Sequence, residues 1–439
     1  MTKQRNLGQM LLAVTTLSGG CQDTPPCSHR ICDISDAVCG DFVAEVVGCQ
    51  RDVGDVRPPV SFATKAEVLA GFDTRSEADL EWAREYYAGE ALVGLMPANY
   101  DPANELADSL EGAVAFYDPE GQDIVIISDA LPSDAGIGYG VLVHEMVHAY
   151  QDVEYDLEAL SEEYATTFVR SLGLRAAVEG EATLYQVYAE LELEGIPRSR
   201  VLWDSYFRDF QESVLTSAQE TDVPSLAARG LFPYAFGSEL MRDAWEDGGA
   251  DAVRELVQSP PDSVRQVMAG YGNRPPQTFN EDAALAPAAV PVLAEHSYLG
   301  GGPQGAWLIN AMLQRTAGSG ALWSPAVDSV SADHLSVFKH DDTGERVAVW
   351  RVVGLPLQSL LEAGSVWTTS ESGATTHWVE MLEGDLVMVA TETADPRLLM
   401  DSITEWESSE EARARADLVV EPRPLGELQP SRVARRRRR

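Results

Sequence analysis

Apolar and polar positions divide the chain into stretches of different period. Between Thr64 and Gly89 the residues Val68, Leu69, Phe72, Leu80, Trp82 and Tyr86 return at helical spacing, which predicts helices at the start of the folded part. Residues 113–117 and 124–127 are β-rich runs on either side of Asp118-Pro119-Glu120-Gly121, and they predict a hairpin. Helical patterning returns over 140–193, with breaks expected near Gly173 and Gly180, and again over 242–268. Pro275-Pro276 and the Ala/Pro stretch 283–291 mark a change of composition and a boundary. Beyond it the pattern predicts a helix over 306–313, strands over 345–353, 377–381 and 385–390, and a helix over 396–406. The expected class is α+β: a mainly helical core with a small sheet or hairpin ahead of its central helix, followed by a C-terminal α+β region.

Composition narrows the partners. A chain of 439 residues with 45% hydrophobic content can bury a large core, and 70 acidic against 32 basic residues leave a net charge of −38. Such a surface repels nucleic-acid backbones and anionic lipid, so no nucleic-acid partner is expected. Past the N-terminus no apolar run approaches the roughly 18 residues needed to cross a bilayer. Lys3 and Arg5, the apolar stretch 7–17 and Ser18-Gly19-Gly20-Cys21 resemble a bacterial lipoprotein signal. The resemblance implies removal of residues 1–20, a lipid on Cys21 as the sole membrane contact, and a place at the bacterial cell envelope, anchored or secreted. Cys27, Cys32, Cys39 and Cys49 then remain as an even set, and without paired C-x-x-C elements they predict two disulfides rather than a zinc cluster. Residues 21–60 read as a Cys-rich tether, 61–275 and 276–420 as the two folded regions, and 421–439 as a disordered tail made basic by Arg432 and Arg435 to Arg439.

The chemistry is concentrated in Val141-Leu142-Val143-His144-Glu145-Met146-Val147-His148, an H-E-x-x-H sequence inside an apolar helix-forming run. Residues four apart share a helix face, so His144 and His148 can offer two nitrogens to one Zn²⁺, while Glu145, about 100° round, can reach a metal-bound water. A catalytic zinc needs a third protein ligand and an open position. Glu154 lies where metzincins place their last ligand, but Gln151 stands where that pattern needs Gly. Glu158, Glu162 and Glu163 sit in an acidic, solvated stretch. Glu179-Gly180-Glu181-Ala182 differs, being an acidic pair among small and apolar residues, with a Gly that allows another backbone to approach. Here the chain resembles the gluzincins, whose third ligand is a Glu on a second helix. The resemblance implies Glu179 as that ligand, with Glu181 in reserve; helical periodicity puts Glu181 on the face of Val178, Leu184, Tyr185 and Tyr188.

Four segments in order resemble uncharacterised bacterial envelope proteins with a gluzincin-like metallopeptidase core: Ala115-Phe116-Tyr117-Asp118-Pro119, then 144–152 (H-E-x-x-H-A-x-Q-D), 179–182 (E-G-E-A), and Phe232-Pro233-Tyr234-Ala235-Phe236-Gly237. Ala115 stands where that pattern has Gly. The resemblance covers about 115–270. It implies a zincin-like metallopeptidase acting on peptide or protein substrates, with Glu145 as general base. Tyr234 is a candidate oxyanion donor, or else a packed core residue. The hairpin edge is a candidate surface for an extended peptide, and Asp152 a candidate acceptor behind the metal ligands. The alternative is a binding or structural lipoprotein that keeps the scaffold without catalysis.

Overall fold

The computed structural model describes residues 27, 31–36, 38–72, 76–110, 112–221, 223–269, 293, 295–317, 325–355, 376–382 and 385–407. The signal sequence, Cys21, the Pro-rich boundary at 275–291 and the basic tail lie outside these residues. No described helix is long and apolar enough to cross a membrane.

The chain folds as α+β, mostly helical with two small sheets. Its first half contains α1 (Val38–Arg51), β1 (Val60–Ala63), α2 (Lys65–Phe72), α3 (Glu77–Leu92), α4 (Glu105–Ser109), β2 (Ala115–Asp118) and β3 (Asp123–Ile127). Helices α5 (Ala135–Tyr155), α6 (Leu157–Tyr164), α7 (Phe168–Leu193), α8 (Trp203–Glu220), α9 (Pro224–Gln258) and α10 (Val264–Ala269) follow. The last part comprises β4 (His296–Gly302), α11 (Gly305–Ala317), β5 (Ala332–His340), β6 (Arg346–Val353), β7 (Thr376–Leu382), β8 (Asp385–Thr391) and α12 (Pro396–Glu407).

The expected hairpin is present as β2 and β3, in register from Ala115 opposite Ile126 to Asp118 opposite Asp123. It carries a third strand that the pattern did not reveal: β1 pairs with β3 in parallel, so the order is β1-β3-β2. The second sheet is antiparallel throughout, in the order β4-β5-β6-β8-β7.

Residues 38–51 correct the expectation of a tether. Cys39, Val43, Ala44 and Val47 recur at helical spacing and are buried in α1 beside Val143, Met146, Val147 and Tyr150 of α5. The Tyr150 hydroxyl donates to the Ala44 carbonyl at 2.8 Å. Disulfides Cys27–Cys49 and Cys32–Cys39 fasten the segment to itself, which accounts for the four cysteines. This part of the stretch that the cysteines marked as a tether is therefore in the core.

The two folded regions share apolar packing. Trp307 of α11 and Leu335, Trp350 and Met388 of the second sheet lie in one cluster with Leu172, Phe232 and Phe236 of α7 and α9. The Trp307 indole donates to the Ala228 carbonyl at 3.0 Å. Across the same junction Arg229 of α9 bridges Glu90 of α3, at 3.0 Å, and the side-chain oxygen of Gln304.

Candidate metal centre

Two helices make the centre. Helix α5 begins at Asp134, whose carboxylate accepts from the Gly136 N–H, and ends at Asp156 with a left-handed φ of 56°. Its apolar stripe, Leu142, Val143, Met146 and Val147, is fully buried, which fixes the rotation of the helix and brings His144 and His148 onto a shared face. Helix α7 is capped by Thr167 and runs unbroken through Gly173 and Gly180, where breaks were expected.

The glycines instead let helices touch. A Cβ on Gly180 would lie 2.3 Å from the Gly237 carbonyl carbon, and one on Gly237 would lie 2.0 Å from the Ala176 carbonyl oxygen. Helices α7 and α9 therefore cross backbone to backbone beside Glu179. Tyr234, one turn before Gly237, is thereby held against the centre, its ring stacked on that of His144 at 5.8 Å between centroids.

His144 Nε2 lies 3.1 Å from Glu179 Oε2, and His148 Nε2 lies 3.4 Å from the same oxygen. The ligand atoms of all three residues fall within 4.8 Å of one another, and among the described residues no other group of three such side chains converges in this way. Bonds of roughly 2.0–2.1 Å in a tetrahedron separate neighbouring ligand atoms by about 3.3 Å, so the two nitrogen-to-oxygen edges fit. Two neutral imidazoles and one carboxylate also match the donor set that zinc takes. Glu181, two residues on and about 200° round the helix, points the other way. It is fully buried, with Arg51 Nε 2.8 Å from its Oε1. The structure thus brings Glu179 to the two histidines and gives Glu181 to Arg51.

Electrostatics sharpen the site. Burial opposes the charge of Glu179, yet His148 and His144 hold its carboxyl well below the usual range. Burial likewise opposes protonation of His148, and Glu179 outweighs it, raising the imidazole to about 9. Glu145 responds in the other direction: burial raises its carboxyl despite both histidines. The nearby charge of Glu179, followed by burial, pushes the Tyr234 phenol well above its ordinary value, so the phenol stays protonated and able to donate.

The hairpin holds Glu145. Tyr117 on β2 donates its backbone N–H to Glu145 Oε2 at 2.9 Å and its hydroxyl to Asp152 Oδ2 at 2.8 Å. β2 is an edge strand, so strand addition by an extended peptide would begin from an edge whose Tyr117 N–H is already engaged by Glu145. Asp152 does not meet either histidine; its other oxygen accepts from the Leu157 N–H at 3.1 Å. Glu154 pairs with Arg51 at 3.0 Å, and Glu158, Glu162 and Glu163 are exposed.

The partner of His148 is Gln151, whose Oε1 lies 2.8 Å from the ring Nδ1. Sequence reading passed over Gln151 as a ligand-pattern mismatch. Its position three residues after His148, on the same helix face, was the available signal. Arg51 carried no such signal, since its partner Glu181 lies 130 residues away.

No known protein-family model, no curated protein and no solved structure matches the chain.

Proposed function

We propose that the protein is a zinc-dependent hydrolase of peptide bonds, built on a zincin-like scaffold and working on peptides or proteins at the bacterial envelope. The observation that carries this reading is the convergence of His144, His148 and Glu179 on one point, with the buried Glu145 next in sequence to the first ligand. When bound, zinc would act as a Lewis acid on a water molecule and on the scissile carbonyl.

The chain's own residues do the rest. Glu145, held by the Tyr117 N–H, takes the proton of the attacking water and returns it to the leaving amine. Tyr234 donates its hydroxyl hydrogen to the oxygen on which charge develops, a role available to a phenol kept neutral beside Glu179. Edge strand β2, whose Tyr117 N–H is held by Glu145, is the surface along which an extended substrate would align. Lipid attachment at Cys21 would hold this centre at a membrane surface, and the two disulfides agree with an oxidising compartment.

The test is hydrolysis of an unstructured protein and of short peptides by the zinc-loaded chain, with cell-wall fragments as the competing amide substrate. Peptide cleavage that disappears in Glu145→Gln supports the reading. Inactivity of a fully zinc-loaded wild type on every substrate, or equal cleavage by Glu145→Gln, contradicts it.

A further inference from the structure

Gln151 is fully buried, and both hydrogens of its side-chain amide are committed. Its Nε2 donates to Glu181 Oε2 at 2.9 Å and to the Val178 carbonyl at 2.9 Å. Only its Oε1 remains to face His148 Nδ1, so the ring must donate there, and His148 Nδ1 carries the hydrogen. In the neutral ring that binds a cation, the lone pair is then left on Nε2, the nitrogen that faces Glu179. Reversing the amide would set its oxygen against a carboxylate and a carbonyl, both acceptors. The Glu181 carboxylate and the Val178 carbonyl together oppose the reversal. The Glu181 carboxylate is held in that place by Arg51, which like Glu181 has zero exposure and donates Nε to its Oε1 at 2.8 Å.

We propose that Arg51 and Glu181 are positioning residues for the metal, acting through Gln151 to fix the His148 tautomer that presents Nε2 to a divalent cation. The inference rests on the reading of His144, His148 and Glu179 as a metal site, and it assigns part of that site's affinity to a disulfide-fastened helix that contributes no ligand. Orientation of a metal-bound histidine through its other nitrogen typically changes affinity by about 10- to 100-fold.

The experiment measures zinc affinity of the full chain against a competing chelator. In Glu181→Gln, the new amide can satisfy Arg51 with its oxygen, but its NH₂ then faces that of Gln151. The Val178 carbonyl still opposes a full reversal, so relief comes from the Gln151 amide turning out of line, which loosens the acceptor that fixes His148 Nδ1. Affinity is expected to fall by about 10- to 100-fold. The exchanged pair Gln151→Glu with Glu181→Gln restores the donors and acceptors from His148 to Arg51, since residue 151 accepts from His148 and residue 181 donates to it and accepts from Arg51, and leaves the Val178 carbonyl without its donor. Its affinity should rise above that of Glu181→Gln and recover most of the loss. Glu154→Gln, which touches Arg51 outside this chain of bonds, should bind as wild type does. In the zinc-loaded wild type, nitrogen-resolved NMR should show a slowly exchanging hydrogen on His148 Nδ1.

Wild-type affinity in Glu181→Gln overturns the proposal. So does an exchanged pair no tighter than the single variant, which would make the charge pair a folding element alone; if Glu181→Gln does not fold, the exchanged pair decides. A wild type that binds no zinc overturns the metal reading and this inference together, whereas tight wild-type binding with unaffected variants overturns only the inference.

Discussion

Glu145 has been drawn out of water, and the Tyr117 N–H is its remaining donor. Because Glu145 is outside the convergent group, Glu145→Gln should keep the metal while turnover falls by about 100- to 10,000-fold, read by metal content and kcat on one preparation. Tyr234→Phe removes a hydroxyl and keeps the ring on His144, so it should lower kcat by about 100-fold or more with metal content unchanged; loss of metal instead would make Tyr234 a support for the ligands. At this scale the two histidines were legible because their spacing is a property of one helix. Glu179 and Glu181 were harder to separate. Periodicity placed Glu181 on an apolar face, where a carboxylate is admissible only if a cation meets it, and that cation, Arg51, comes from a segment that sequence alone read as a tether.

Between elements, the closest constraint is the crossing of α7 and α9. A methyl on Gly237 would meet the Ala176 carbonyl, which as helix backbone cannot turn aside. Gly237→Ala should therefore destabilise the chain by about 2–3 kcal/mol and displace Tyr234, as measured by urea unfolding and by the activity that remains. Gly230, in the same helix, has open space where its Cβ would lie, so Gly230→Ala should stabilise by about 0.5–1 kcal/mol. Opposite signs within one helix separate contact from helix propensity; equal effects would contradict the crossing. The sequence signalled that Gly180 permits a close approach, but it also suggested a helix break there. Only the partner, Gly237, tells the two apart, and a pairwise contact between distant glycines has no local pattern. In the second sheet β6 and β8 were readable, 345–353 and 385–390 matching them to within a residue, because a continuous apolar β-rich run is a local pattern, whereas β4 and β5 were not anticipated. Four-residue β1 was too short to show it.

Across the whole molecule, ion pairs fasten the second sheet to the helical body. Glu85 of α3 accepts from Lys339 of β5 at 2.9 Å and from Arg346 of β6 at 2.8 Å. Burial would raise its carboxyl, but the two cations outweigh burial and hold it below its ordinary 4.5. The folded state therefore binds this proton less readily than the unfolded chain does. The contribution is complete above the ordinary carboxylate range and is lost as pH falls through the depressed folded value. His334 acts earlier: burial, with neither ring nitrogen partnered among the described residues, lowers its imidazole from 6.5 to about 4, so stability drains as pH falls between those values. Glu85→Gln should cost about 1–2 kcal/mol at pH 7 and progressively less in acid, in urea titrations carried from pH 7 to well below the ordinary 4.5. A cost that stayed constant with pH would show that the carboxylate's charge does not join the two regions.

Everything proposed for the centre depends on its holding an ion, so the most direct measurement is metal content after zinc loading and desalting, in wild type, His148→Ala and Glu179→Ala. The account predicts about one zinc per wild-type chain and its loss from both variants. A wild type that retains none, or a Glu179→Ala chain that retains all of it, would contradict the account.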